Sequence, residues 1–268
     1  MRFELTTQTS GLPVGKKTPA LVFLAGFPDD HGSWLELAPR FNSTHSIVVT
    51  CMPDYDKKKL DKPWGYGFEE IVDMLSRVIN KHTCESESVT LVAHDWGAFV
   101  AILYANKYPD AIKNLITLDV GLGAPIGLVT VTYQLWLAIA FIFSQLWLGT
   151  IGDLMMLLFP WKLIGPCPYE TKIPKRLSGR PGSYMCYPYF QLWKMVLFGK
   201  APTNIPMPAM PYLYVFGKNK RSTFHGTGFL EKLSQRSDCC YKMLDCGHFI
   251  QVQKPDELET EMRSFLGI

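Results

Sequence analysis

The hydrophobic positions of this chain follow two alternating rhythms. "PALVFLAGF" (19–27), "SIVVTCMP" (46–53), "SVTLVAH" (88–94), "NLITLDVG" (114–121) and "MPYLYVFG" (210–217) are short runs, mostly apolar, ended by Gly, Pro or a polar residue. That pattern predicts strands buried on both faces. "CCYKMLDCG" (239–247) predicts a last strand and Phe3 to Thr7 a first. Between the runs, residues 68–82 place Ile71, Met74, Leu75, Val78 and Ile79 at helical spacing. A second helix is expected over 97–109, stopped by Pro109, and a third over 255–268. Ser33 is expected to cap a short helix starting at Trp34. Strands alternating with helices predict an α/β fold, a mostly parallel sheet with helices on both faces.

The rhythm breaks between Gly121 and about Met210. This stretch is rich in Leu, Trp, Phe, Pro and Tyr. It predicts an inserted helical lid over 122–207, with the core formed by 1–121 and 208–268. No charged residue occurs from Val120 to Gly152. The run is long enough to span a bilayer. A span would set Asp95 and His248 on opposite sides of the membrane, so a pocket-lining lid is expected. Contact of residues 120–152 with a membrane surface is the alternative.

Composition narrows the classes. The 268 residues carry a formal net charge of +3, with Lys and Arg scattered apart from 57–59 and 218–221. No basic stripe tracks a nucleic-acid backbone, so nucleic acid is not an expected partner. The seven Cys lack metal-like CxxC spacing. Reduced thiols and the lack of an apolar segment before Ala20 predict a cytoplasmic protein, with membrane association through the lid kept open. The oligomeric state is left open.

Candidate chemistry begins at "AHDWGAF" (93–99). A carboxylate there would sit where a buried strand turns into a helix, with small Gly97 and Ala98 permitting a tight turn. The helix N-terminus would keep Asp95 ionised and able to attack as a nucleophile, giving an ester. A plain helix cap is the competing reading. His248 follows a late strand and a Gly, placed to deprotonate water against such an ester. Backbone N–H groups of Phe27 and Trp96 could form an oxyanion hole. Gly26-Phe27-Pro28 as an ordinary turn is the alternative there.

Together "AHDWGAF", "GFPDD…SW", "YPDAIKNLITLD" and "DCGHFIQVQKPDEL" resemble the α/β-hydrolase fold superfamily, in its aspartate-nucleophile branch of epoxide hydrolases and haloalkane dehalogenases. The resemblance covers about 19–120 and 208–268; the lid matches poorly. It implies Asp95 as nucleophile and His248 as the base that activates water, with neither metal nor organic cofactor. It further implies a small or medium apolar epoxide as substrate. A haloalkane dehalogenase, with the Trp96 indole N–H on the halide, and a non-catalytic ligand-binding protein are the alternatives.

Three departures stand out. Ala25 precedes Gly26 where the family usually has His. Gly217-Lys218-Asn219-Lys220 lacks the carboxylate of the family's Gly-x-x-Asp. Some members place the triad acid after the strand that follows the elbow helix, which here is Asp119; as an alternative it merely ends that strand. Asp245 is expected to point away. The family's epoxide-binding lid tyrosines have candidates in Tyr184 and Tyr187, with Tyr189 and Tyr133 nearby, and apolar packing as the alternative for all.

Overall fold

The computed structural model describes residues 3–158, 179–201, 204–220 and 222–268. Parts of the expected lid, residues 159–178 and 202–203, and Arg221 of the second basic run lie outside the described residues.

The apolar runs are strands. They are β2 (Ala20–Ala25), β3 (Ser46–Cys51), β4 (Val89–His94), β5 (Asn114–Leu118), β6 (Tyr212–Gly217) and β7 (Cys239–Leu244). Every residue of β2, β3, β4 and β6 is buried. That follows from a sheet covered on both faces, where alternation gives no advantage. β1 (Thr7–Gly11) lies later than the strand expected over 3–7. It pairs antiparallel with β3 at the sheet edge, and all other pairs are parallel. The order is β1-β3-β2-β4-β5-β6-β7.

α1 (Phe68–Thr83) buries the predicted stripe and carries Glu69 and Glu70 in its first turn, Lys81 and His82 in its last. The Glu69, Glu70 and Lys81 charges each sit at the end of the helix dipole that favours their sign. α2 (Trp96–Lys107) buries residues on most of its circumference, consistent with a helix pressed against the sheet. The short helix near Ser33 is a 3-10 turn, His31–Trp34. Its cap is Asp30, which accepts from Gly32 N; Ser33 lies inside the turn. The correction is physical: capping needs the side chain just before the first turn, and Pro28 and the Asp pair set that start earlier.

Between β5 and β6 the chain forms α3 (Leu128–Gln145), α4 (Gly149–Leu158), a 3-10 turn at Ser183–Cys186 and α5 (Tyr187–Leu197). α3 turns Tyr133, Leu137, Ala138, Ala140 and Phe141 inward. Its Leu128, Leu135 and Ile139, with Trp147, Leu154 and Leu158 beyond, are exposed. α3 is the one described helix long and apolar enough to cross a membrane. α6 (Thr227–Ser234), α7 (Ile250–Gln253) and α8 (Pro255–Leu266) complete the chain.

Candidate active site

The turn from β4 into α2 carries Asp95 at φ 54° and ψ −126°, a backbone state that L-residues rarely adopt. Strain of this kind survives only where neighbours hold it. The turn is tight because Gly97 presses on β2: a Cβ there would lie 2.7 Å from Leu24 O. Gly26 crosses the turn from the other side, and its Cβ would meet His94 O at 2.3 Å. That close passage brings Phe27 N to Asp95 Oδ1, donating at 2.8 Å.

The carboxylate does not cap its helix, since no side-chain capping bond to α2 forms. Instead Asp95 Oδ2 faces His248 Nε2 at 3.4 Å. The plain-cap reading of Asp95 is therefore not what the geometry displays.

His248 sits in the loop between β7 and α7, 1 % exposed. Its Nδ1–H donates to Asp119 Oδ2 at 2.5 Å, because a carboxylate can only accept. Asp119 follows β5 at φ 67° and is fully buried. Its Oδ1 accepts from Gly217 N at 3.2 Å and from the Lys220 ammonium. The Lys220 side chain is 1 % exposed. So the position that lacks the family's acid supplies a cation to the acid one strand over. Sequence reasoning registered the missing carboxylate but not the lysine's role. Asp245 is indeed turned outward, paired with Asn219 and Lys218.

The charges set the proton positions. Burial pushes the His248 imidazole down, but its bonds to Asp119 and Asp95 and their negative charges outweigh this and raise it to about 10. Burial would raise the Asp119 carboxyl. The Lys220 charge and the His248 bond reverse that and hold it well below the usual carboxylate range.

Behind the elbow, His94 donates from Nε2 to His248 O at 2.9 Å, and its Nδ1 accepts from Gln251 Nε2 at 3.2 Å. Asp29 Oδ2 lies 3.6 Å from that Nδ1, and burial raises the Asp29 carboxyl. The sequence reading did not single out His94, Gln251 or Asp29. The adjacency of His94 to Asp95 was the available signal.

A cavity of about 220 Å³ opens above the elbow, lined by Asp95, Trp96, Phe99, Tyr133, Tyr189 and Phe224 among others. The hydroxyls of Tyr133 and Tyr189 bond each other. The Tyr189 ring meets Trp96 edge-on at 5.0 Å and Phe27 at 5.3 Å. Burial, Tyr133 and the Asp95 charge push the Tyr189 phenol well above its ordinary value, so it stays protonated and can donate. The two favoured lid tyrosines lie elsewhere. Tyr184 donates its hydroxyl to Lys57 O, and Tyr187 donates to Pro53 O at 3.4 Å. Neither lines the cavity. Tyr187 and Tyr189 are two residues apart on α5, about 200° around the helix, so only one can face the elbow.

Among the described residues, no group of three or more His, Cys, Asp or Glu could hold a metal ion. None of the six described Cys forms a disulfide.

The comparisons with known proteins agree with this architecture. The mutant epoxide hydrolase of Bacillus megaterium superposes with a TM-score of 0.70 at 19% identity, covering 98% of this chain and 97% of that one. Epoxide hydrolase 2 of Caenorhabditis elegans is 31% identical over 103 residues, 37% of this chain and 28% of the relative. The cis-3-alkyl-4-alkyloxetan-2-one decarboxylase of Shewanella oneidensis is 29% identical over 106 residues, 38% of this chain and 32% of the relative. The matched stretch thus spans about a third of the length of these curated relatives. The profile of the alpha/beta hydrolase fold matches residues 19–154, from β2 through the elbow and into the lid helices. With the sheet order, the elbow and half the chain in agreement, this protein belongs to the α/β-hydrolase fold family.

Proposed function

We propose that the chain is an epoxide hydrolase acting on a small to medium apolar epoxide. One observation carries the reading. Asp95 leaves its helix uncapped and presents Oδ2 to His248 on a cavity that Tyr133 and Tyr189 also line. Asp95 attacks an epoxide carbon. A C–O bond forms, the ring C–O bond breaks, and the electron pair stays on the ring oxygen. A tyrosine hydroxyl from the Tyr133–Tyr189 pair protonates that oxygen.

The second half needs a base. In the resting state the neighbouring carboxylates keep His248 protonated. Ester formation removes the Asp95 charge, so the imidazole can release its proton to solvent, from which the tyrosinate left by ring opening recovers the proton it gave. His248 then takes a proton from water, whose oxygen adds to the ester carbonyl. Phe27 N–H already holds Oδ1 at 2.8 Å and, with the Trp96 N–H, would stabilise the oxyanion. Collapse releases a diol and restores Asp95. Asp119 orients His248 throughout.

The paired hydroxyls favour an epoxide over a haloalkane, because a ring oxygen needs a proton and a halide does not. The apolar cavity wall suits an aromatic or aliphatic substituent. The exposed apolar residues of α3 and α4 support a lipid surface as the lid's partner, and the same face would allow a cytoplasmic protein to associate with membranes. Flotation with phosphatidylcholine vesicles tests that part; a protein left wholly in the aqueous fraction removes it.

The deciding experiment is intact-mass analysis with styrene oxide of wild type, Asp95→Asn and His248→Gln. An adduct that builds up in His248→Gln, is absent in Asp95→Asn and turns over to diol in wild type is expected. Halide release from a haloalkane panel without any diol would move the reading to a dehalogenase. Neither product would move it to a ligand-binding protein.

A further inference from the structure

We propose that Lys220 is a positioning residue that makes His248 release its proton once the ester on Asp95 has formed. The inference rests on the function proposed above and adds to it a residue outside the triad.

The geometry is specific. Lys220 lies in the loop after β6, with its side chain 1 % exposed. Its ammonium pairs with Asp119 Oδ1 and lies 5.5 Å from the Phe224 ring centroid. Asp119 presents its other oxygen to His248. One carboxylate therefore bridges two cationic groups, the Lys220 ammonium and the His248 imidazole. A buried lysine is costly unless it is paired, so its placement here calls for a reason beyond packing.

Counting charges supplies the reason. In the resting site, Asp95 and Asp119 are balanced by His248 in its protonated form and Lys220, and the cluster is neutral. After esterification Asp95 is neutral. Asp119 now faces both cations, and the cluster carries +1 until His248 loses its proton. Without Lys220, Asp119 and protonated His248 would form a self-sufficient neutral pair. The imidazole would then hold its proton and be unable to take one from water. Lys220 thus acts through Asp119, and only in the ester state does its charge decide the outcome.

Other ionisable groups around the cluster do not replace it. His225, in the loop before α6, donates or accepts at Nδ1 with the Tyr214 hydroxyl at 2.8 Å, and burial and Lys220 lower its imidazole. Burial keeps the Tyr214 phenol protonated. His94 is committed to His248 O and Gln251, and Asp29 lies behind it. Asp245 faces outward. None of these places an ammonium against Asp119.

The test compares wild type, Lys220→Met and Lys220→Arg in single turnovers with styrene oxide across pH, following ester and diol separately. In Lys220→Met, ester hydrolysis at neutral pH should slow about 10- to 100-fold. That corresponds to an alkaline shift of about 1–2 pH units in the acidic limb, along which His248 loses its proton, the range expected when one charge close to a titrating pair is removed. The deficit should close as pH rises, ester should accumulate, and Lys220→Arg should recover most of the rate. Ester formation should change much less. A pH limb that superposes on wild type, or an equal fall in both steps at every pH, would overturn the inference.

A second measurement needs no turnover. In an Asp95→Asn background, where position 95 is neutral as in the ester, adding Lys220→Met should raise the His248 titration midpoint seen by NMR. An unchanged midpoint counts against Lys220 even if the kinetic variant folds poorly. If wild type forms no ester at all, the proposed function fails, while the titration still judges Lys220.

Discussion

Replacing Asp95 by Asn mimics the ester state electrostatically and should release His248 from its resting protonation. Nε2 lies 3.4 Å from Asp95 Oδ2. At an effective dielectric of about 20, two unit charges at that separation interact by about 5 kcal/mol. One pH unit is about 1.4 kcal/mol, so full removal of that charge would move the imidazole by about 3.5 units. Partial charge spreading and the polar groups nearby reduce this, and a fall of at least about 2 units is expected. The wild-type imidazole, raised to about 10, stays protonated across the physiological range. In Asp95→Asn it should titrate near or below about pH 8. The assay is a pH series of histidine side-chain 15N spectra, with His248 assigned by His248→Gln. Its Nδ1 should remain protonated in both proteins, because Asp119 holds that hydrogen. A shift below about 0.5 unit would refute the idea that the Asp95 charge controls the base.

Three further outcomes follow from the same geometry. Tyr189→Phe and Tyr133→Phe should each slow ester formation by about 100-fold, within the range for a positioned proton donor, while Tyr184→Phe, bound to Lys57 O, should stay within about 2-fold of wild type; pre-steady-state ester formation reads this, and equal losses in all three would sink the assignment. Asp95→Gly should be more stable than Asp95→Ala by about 1 kcal/mol, because the residue sits at φ 54° and only glycine takes that conformation freely; urea midpoints decide it, and an Ala variant that equals Gly would remove the strain. Folding stability should also track the two buried groups. His248 is raised in the folded state, so its contribution is complete below its unfolded value near pH 6.5 and fades as pH climbs through about 10. Asp119 is lowered, so its contribution is present above its unfolded value near 3.8 and fades as pH falls through its folded value. Melting temperature should therefore decline on the alkaline side in wild type and less so in His248→Gln.

The sheet was legible because its central strands are mostly apolar and buried on both faces, a signal that survives without knowing the partners. β1 was misplaced because TQTSG is exposed along nearly its whole length and packs at an edge. An edge strand of polar residues carries no periodic mark. The turn that carries Asp95 and the loop that carries His248 were legible from their local frames, a strand followed by a small-residue turn and a strand followed by Gly. Lys220 was not, because its meaning depends on β5 and β6 being parallel neighbours, which brings residues 101 positions apart into one ion pair. The tyrosines failed for a different reason. Position along the chain cannot fix the rotational phase of α5, and one step of 200° separates a residue that lines the cavity from one that bonds Pro53 O instead.

Asp95 and Asp119 end adjacent parallel strands and both carry positive φ. Each such residue costs about 1 kcal/mol or more relative to an ordinary turn. The cost recurs because a regular strand end cannot do the same work. An extended exit would carry each carboxylate along the sheet, whereas the left-handed step lifts it above the carboxyl edge. Two neighbouring strands are about 4.8 Å apart, so two lifted carboxylates fall within reach of one imidazole entering from beyond β7. His248 spans that gap with both ring nitrogens, at 2.5 Å to one acid and 3.4 Å to the other. Asp119 follows β5, and the loop after β6 carries Lys220 rather than a carboxylate. The buried Lys220 ammonium pairs with the Asp119 carboxylate across the two strands. A lysine after β6 and a strained carboxylate after β5 are thus two parts of one arrangement, in which a buried anion is balanced from the neighbouring strand.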